Sequence, residues 1–265
     1  MNDHDGRSCL VIGGSSGIGR GACLALAAAG ANVAVHGLDE GEAAEVAASI
    51  QESGGRAIAV GGDIADPETS QRAVDRTLAE FGALHSLVVS SGIQRYGDVV
   101  ETSVDEWDHV FDVNVRGAFL AARTALPAIR ATDGGTVVVV ASVQGSASQP
   151  KVAAYSASKG ALIALTRSMA IDEAAHGVRV NSVSPGSIDT PMLRASAAGV
   201  NGSDVDDVLD HWGTAHALGR VGQAMEVGEA IAFLAGPRSG FITGVDLKVD
   251  GGMMARLPAP IGVLR

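Results

Sequence analysis

Tyr155 and Lys159 stand four residues apart in Tyr155-Ser156-Ala157-Ser158-Lys159, and Ser142 lies thirteen residues before the tyrosine. On a helix, residues at i and i+4 share a face, so the phenol and the ammonium would stand side by side. A free phenol titrates at about 10, too high for a general base near neutral pH. A neighbouring positive charge favours the phenolate and lowers that value. A hydroxyl such as that of Ser142 could hold a carbonyl or alcohol oxygen beside the phenol. Together the three side chains could move a proton on or off a substrate oxygen. The plain alternative is an ordinary surface pair on a helix, and the rest of the chain decides between the two.

The deciding context is a glycine-rich string near the start, Gly13-Gly14-Ser15-Ser16-Gly17-Ile18-Gly19. It follows an apolar run at 9–12 that reads as a strand and precedes a helical stretch at 20–29. Glycines there permit a tight turn and let backbone amides approach a pyrophosphate, and the helix N-terminus adds partial positive charge. A plain turn is the alternative, but the position directly after the first strand favours a nucleotide loop. The spacing differs from G-x-G-x-x-G, because three residues separate Gly13 from Gly17.

The elements that must position these groups alternate. Further strands are expected at 32–36, 57–60, 87–89, 136–141, 179–183 and 245–249. Helices are expected at 42–52, from Asp66-Pro67 onward, around 110–130, at 153–174 and at 223–234, with Pro67 at an early helical position. Apolar strands separated by helices imply a parallel sheet covered on both faces, an α/β doubly wound chain of about seven strands. No linker, charge block or repeat divides residues 1–265, so one domain is expected. The polar, Gly/Ala-rich segment at 192–217 breaks the alternation and reads as a mobile lid or insertion, and 254–265 reads as a C-terminal tail.

Composition narrows the class. Of 265 residues, 46% are hydrophobic and only 3% aromatic, which favours close helix-on-sheet packing by small and branched side chains. The net charge of −11 repels phosphate backbones and argues against nucleic-acid binding. Cys9 and Cys23 form neither a metal spacing nor a disulfide framework, which fits a reducing cytoplasm. The polar, acidic start Met1-Asn2-Asp3-His4-Asp5 does not read as a secretory signal, and apolar runs such as 137–141 are too short to span a bilayer. A soluble cytoplasmic protein without a membrane partner is expected.

With these pieces together, the chain resembles the short-chain dehydrogenase/reductase family, its single-domain Rossmann-type subgroup, over roughly residues 8–253. Gly13, Gly17 and Gly19 match the family's T-G-x-x-x-G-x-G loop, and Asp63-Ile64 its adenine-contacting D-[VIL]. Asn114 and Ser142 match its catalytic Asn and Ser, and Tyr155 and Lys159 its Y-x-x-x-K. Pro185-Gly186 and Thr190-Pro191-Met192 match the P-G-x-x-x-T stretch along the nicotinamide. Phe241-Ile242-Thr243-Gly244 and Val249-Asp250-Gly251-Gly252 match its C-terminal signature.

The resemblance implies hydride transfer between a secondary alcohol and a nicotinamide cofactor, with Tyr155 as acid/base, Ser142 anchoring the substrate oxygen and Asn114 supporting a water relay. It implies that Lys159 lowers the Tyr155 pKa and holds the ribose hydroxyls. Cofactor contacts are implied at Gly13, Ser15, Ser16, Gly17, Ile18 and Gly19, then at Leu38, Asp63, Ile64, Ser90 and Gly92. Tyr155, Lys159, Pro185, Gly186, Ile188 and Thr190 complete that set. Plain alternatives stand beside these roles: Asn114 bonding a neighbouring backbone inside its helix, Ser142 as a strand-end turn residue, Asp63 as a helix cap. Asp204, Asp206, Asp207 and Asp210 read as a solvated lid face rather than a metal site, so no metal is expected. His211 and His216 read as ordinary packing or surface residues.

Three departures matter. The usual Thr opening the glycine loop is Ile12, so a side-chain tie within the loop is lost. The usual N-N-A-G reads Val89-Ser90-Ser91-Gly92 and lacks an Asn amide tie. At the end of the second strand, where Asp selects NAD and a following Arg selects NADP, stand Gly37 and Leu38. Asp39 and Glu40 nearby disfavour a 2′-phosphate, so NAD is expected, with NADP as the alternative. Around the mouth, Gln144 and Gln149 offer amides that suit a hydroxylated substrate. Gln94, Ser146 and Ser187 stand nearby, and a sugar, polyol or cyclic alcohol is expected. The rival activity is NADPH-dependent reduction of a carbonyl or 3-oxoacyl thioester. The non-enzyme rival is a catalytically silent cofactor sensor, against which the intact Tyr155 and Lys159 argue. The resemblance also implies a homotetramer, with helices around 110–130 and 153–174 at one interface.

Overall fold

Short runs such as Ser8–Ile12 and Thr136–Val140 are buried along their whole length. Continuous apolar strands of this kind belong inside a sheet covered on both faces. The computed structural model describes residues 3–200, 202 and 204–256; the expected tail from residue 257 onward lies outside them. The strands are β1 (Ser8–Ile12), β2 (Asn32–Gly37), β3 (Ala57–Gly61), β4 (Ser86–Val89), β5 (Thr136–Val140), β6 (Arg179–Pro185), β7 (Ile188–Asp189), β8 (Gly222–Gln223) and β9 (Asp246–Val249). Seven form one parallel sheet in the order β3-β2-β1-β4-β5-β6-β9, and β7 pairs with β8 apart from it. This is the expected Rossmann-type architecture. The chain reverses its direction of growth between β1 and β4, and the crevice outside the carboxyl ends of those strands is where such sheets bind ligands.

The helices are α1 (Gly17–Ala28), α2 (Glu40–Glu52), α3 (Pro67–Phe81), α4 (Val104–Phe111), α5 (Gly117–Arg130), α6 (Ala153–Glu173), α7 (Pro191–Ala198), α8 (Val205–Gly213) and α9 (Ala224–Ala235). Local signals set their starts. The Asp39 and Asp66 carboxylates accept from the first amides of α2 and α3, and Pro67 occupies the first turn of α3. Ser103 and Glu106 form a reciprocal capping box on α4. One core face packs α3, α5 and α6 against the sheet, and the other packs α1, α2 and α9. Small residues permit the closest approach: a Cβ on Gly228 would lie 2.4 Å from the Gly21 carbonyl oxygen.

Two expectations change. Between α4 and α5 the chain widens into a π-helical turn, Asp112–Arg116, so the helix expected around 110–130 starts earlier and carries an irregular turn at Asn114. Such turns recur at functional sites. The 192–217 segment, read as a break in the pattern, contains most of α7 and all of α8. Thr190 caps α7 by accepting from the Leu193 amide, Asp204 caps α8, and Arg194 pairs with Asp189 at 2.6 Å and Asp206 at 3.1 Å. Ala197, Val208 and Leu209 bury a small apolar cluster beneath the acidic surface. Among the described residues no helix is long and apolar enough to cross a membrane.

Candidate active site

Residues from four segments meet at the crevice. Ser142 follows β5 in extended backbone, its hydroxyl accepting from the Gln144 amide at 3.1 Å. Tyr155 and Lys159 project from the first turns of α6, and both are buried. The Lys159 Nζ lies 5.5 Å from the Tyr155 ring centroid and donates to the Val140 carbonyl at 2.9 Å. Asn114 is completely buried, and its amide is fully engaged. Its Oδ1 accepts from the Ile93 amide at 2.8 Å, while Nδ2 donates to the Ile93 carbonyl and to the Ser158 Oγ, each at 3.0 Å. The Ser158 hydroxyl donates onward to the Tyr155 carbonyl at 2.7 Å. The side chain of Asn114 therefore clasps the segment after β4 to the helix that carries the phenol. The backbone it holds lies outside its own helix, 21 residues away.

Burial works against one expectation. Burial pushes the Tyr155 phenol up to about 12, with the adjacent Ser142 hydroxyl pulling it down and Tyr96 pushing it up. Burial also pulls the Lys159 ammonium down to about 8. The sequence reading has Lys159 lowering the Tyr155 pKa, but in the protein alone desolvation governs both groups.

The glycine loop fits an anion. Gly13 adopts a φ of 73°, and a Cβ there would lie 2.6 Å from the Ser91 amide nitrogen. A Cβ on Gly19 would lie 1.9 Å from the Gly13 carbonyl oxygen. The sequence reading starts the helix at residue 20, whereas α1 begins at Gly17, so Gly17, Ile18 and Gly19 present first-turn amides. Ser16, the N-cap residue, makes no side-chain bond to them, and the first turn has no acidic residue. By contrast α2, α3, α4, α7 and α8 all carry side-chain caps. Uncapped amides at a helix N-terminus are an anion site.

The tie lost with Ile12 is supplied from β2. The His36 carbonyl accepts from the Gly14 amide at 2.7 Å, and its buried ring Nδ1 accepts from the Gly13 amide at 3.4 Å. Burial pushes that imidazole down to about 4.

Other expected positions surround the same crevice. Leu38 is 77% exposed just beyond Gly37, and Ser15 is so close that a Cβ on Gly37 would lie 2.9 Å from it. Ile64 is buried, and Asp63 accepts from the Ala65 amide while Asp66 takes the helix-cap role. Gly92 packs against Asn114 and Lys159, each 3.4 Å from where its Cβ would be. Ser90 donates its amide to the Ile12 carbonyl at 2.8 Å. Pro185 ends β6, Gly186 abuts the His216 ring, Ile188 is buried in β7, and Thr190 faces Gly17 across van der Waals contact. His216 is buried packing, bonded to the Asp250 carbonyl and the Ser187 amide. The Gln144 side-chain oxygen is buried without a protein partner, while Gln149 is exposed. Sequence reasoning missed His36, Ser158 and Tyr96; Tyr96 is the only other tyrosine in the chain, and that rarity was its one signal.

The family model described as enoyl-(acyl carrier protein) reductase matches residues 13–254. The chain belongs to the short-chain dehydrogenase/reductase family. Among the family's members, the cyclopentanol dehydrogenase of Comamonas testosteroni is 38% identical over 252 residues, 93% of this chain and 96% of that protein. The cis-4-hydroxycyclohexanecarboxylate dehydrogenase of Sinomonas cyclohexanicum is 37% identical over 250 residues, 94% of this chain and 97% of that protein. The ligand-free aldohexose dehydrogenase of Thermoplasma acidophilum superposes with a TM-score of 0.87 at 33% identity, covering 97% of each chain. The family and the site together make this an oxidoreductase with a nicotinamide-type cleft.

Proposed function

We propose that the protein oxidises a secondary alcohol on a small carbon ring to the ketone, and reverses that reaction, using NAD. The observation that carries the reading is the convergence of Ser142, Tyr155 and Lys159 opposite the uncapped start of α1. The cofactor would lie along the amides of Gly17, Ile18 and Gly19, past Gly92 and Lys159, toward Pro185 to Thr190. Bound there, its nicotinamide supplies the hydride acceptor and, in oxidised form, a positive charge. The Tyr155 oxygen takes the hydroxyl proton of the alcohol. Ser142 holds the same oxygen and steadies the charge that develops on it. The Lys159 ammonium, 5.5 Å from the Tyr155 ring centroid, would oppose the desolvation that raises the phenol.

Ring alcohols are the reading that two relatives' substrates support, and the unpartnered Gln144 oxygen offers an acceptor for a further polar group. NAD is supported by the missing Arg at Leu38 and by Asp39, whose carboxylate already occupies the first amides of α2. We read α7 and α8 as the cover of the substrate mouth. The exposed Phe119 with Phe111, Val115 and Leu165 around a groove of about 400 Å³ supports subunit association through α4–α6. The expected homotetramer would sediment at about four times the 26.6 kDa chain. The acidic surface and the two buried free thiols fit a cytoplasmic setting.

The test is turnover of cyclopentanol, cis-4-hydroxycyclohexanecarboxylate and an aldohexose with NAD and with NADP. Ring-alcohol oxidation with NAD is expected. Tyr155→Phe should lose it by at least about a hundredfold while still binding NADH, because only the proton-transfer group is gone. Thioester reduction with NADPH in place of alcohol oxidation would overturn the reading, as would a Tyr155→Phe enzyme with more than a tenth of wild-type turnover.

A further inference from the structure

Lys151 is the only non-glycine residue with positive φ among the described residues, at 63°. A lysine pays a steric penalty in that left-handed region and stays there only where its surroundings over-determine it. Here they do. The Lys151 ammonium lies 2.9 Å from Asp98 Oδ2 and 2.5 Å from Glu101 Oε1. The other oxygen of Asp98 accepts from the Val100 and Glu101 amides, each at 2.9 Å. Backbone adds a second tie. The Gly97 amide donates to the Lys151 carbonyl at 2.8 Å, and the Ala153 amide donates to the Gly97 carbonyl at 3.1 Å. Gly97 and Val152 thus form an isolated parallel bridge.

The two strapped segments are not arbitrary. One carries Tyr96, which is half exposed and directly precedes Gly97, the residue bridged to Val152. The other is the N-terminus of α6, with Val152 as N-cap residue three positions before Tyr155. Exposed ion pairs contribute little to global stability. This cluster sits where it can do something else, namely fix the 96–101 segment against the first turn of the helix that carries Tyr155.

We propose that Lys151 is a positioning residue, a strap whose left-handed backbone and double ion pair hold the 96–101 segment and Tyr96 at a set distance from Tyr155 at the substrate mouth. The strap rests on the alcohol-oxidising reading for its kinetic consequence but not for its existence. Lys151→Gly keeps the backbone conformation and removes the ammonium, whereas Lys151→Arg keeps the charge. In the full-length protein, the Gly97 and Ala153 amides of Lys151→Gly should exchange with deuterium about tenfold faster than in wild type. With cyclopentanol as probe, KM should rise about fivefold and kcat stay within about twofold, the pattern of a lost binding wall. NADH affinity should not change, and Lys151→Arg should restore both readouts to within about twofold. Unchanged exchange in Lys151→Gly would overturn the strap. Faster exchange with unchanged KM would overturn its positioning role. Faster exchange in a protein whose wild type leaves cyclopentanol untouched would support the strap and count against ring-alcohol oxidation instead.

Discussion

Lys159→Met should make the protein more stable at neutral pH while abolishing its chemistry. The side chain is fully desolvated, and burial alone takes its ammonium from 10.5 down to about 8. That gap corresponds to about 3 kcal/mol, at ~1.4 kcal/mol per pH unit, by which the folded state disfavours the charge. Methionine fills similar space without a charge, but it loses the bond to the Val140 carbonyl, which costs about 1 kcal/mol. A net gain of about 2 kcal/mol remains, or about 4–8 °C in melting temperature for a chain of this size. The pH dependence fixes the cause. The folded-state value lies below the unfolded one, so between about 8 and 10.5 the unfolded chain holds the extra proton and wild-type stability rises with pH. The variant lacks that rise, so its advantage should be full at pH 7 and nearly gone by pH 10. Calorimetry and urea melts of both proteins without cofactor measure this. A variant less stable than wild type at pH 7, or one whose advantage does not shrink between pH 8 and pH 10, would refute the desolvation argument.

Two further outcomes follow from the cofactor side of the cleft. Leu38→Arg places a guanidinium beside the end of β2, and one charge-assisted bond to a 2′-phosphate is worth about 1.5–3 kcal/mol. The NADPH-to-NADH affinity ratio in a fluorescence titration should therefore rise about tenfold to a hundredfold; no change would mean that the ribose lies elsewhere. His36 is held near 4 by burial, below its ordinary 6.5, so the unfolded chain gains a proton first and stability should fall as pH drops from 6.5 through 4. In His36→Asn that slope should flatten, as read from melts across the same window.

Much of the scaffold was legible because local signals agreed with the global fold. The Val-rich run of β5, the Asp66-Pro67 start of α3 and the order of the motifs all pointed to one sheet. The start of α1 was not legible because Gly17 and Gly19 are poor helix formers; Gly19 is required by its close approach to the Gly13 carbonyl and Gly17 by its positive φ, not by propensity. The helices within 192–217 were not legible because an acidic, Gly/Ala-rich surface hides the caps at Thr190 and Asp204 and an apolar underside at Val208 and Leu209. Within the site, Ser142, Tyr155 and Lys159 were named by type and spacing. The His36 brace was not, because it depends on which residue of β2 lies beside the glycine loop. Nor was the direction of the Tyr155 shift, since the charge pair is local in sequence while the desolvation that outweighs it comes from the whole fold.

The strand order has a consequence for how the chain is made. β1 pairs with β2 on one side and β4 on the other, and β4 in turn with β5, all parallel. During synthesis the glycine loop and α1 emerge early, yet the second edge of β1 has no partner until Ser86–Val89 leaves the ribosome. The wall beyond it waits for residues 136–140 and the catalytic helix that follows. A nascent chain stalled in this interval carries an apolar strand with one unpaired edge, the species most prone to pair with a neighbour. Folding of this enzyme should accordingly be slow and late, governed by non-local pairing rather than by its helices. Substitutions that weaken β4 would then lower the yield of folded protein before they touch the chemistry.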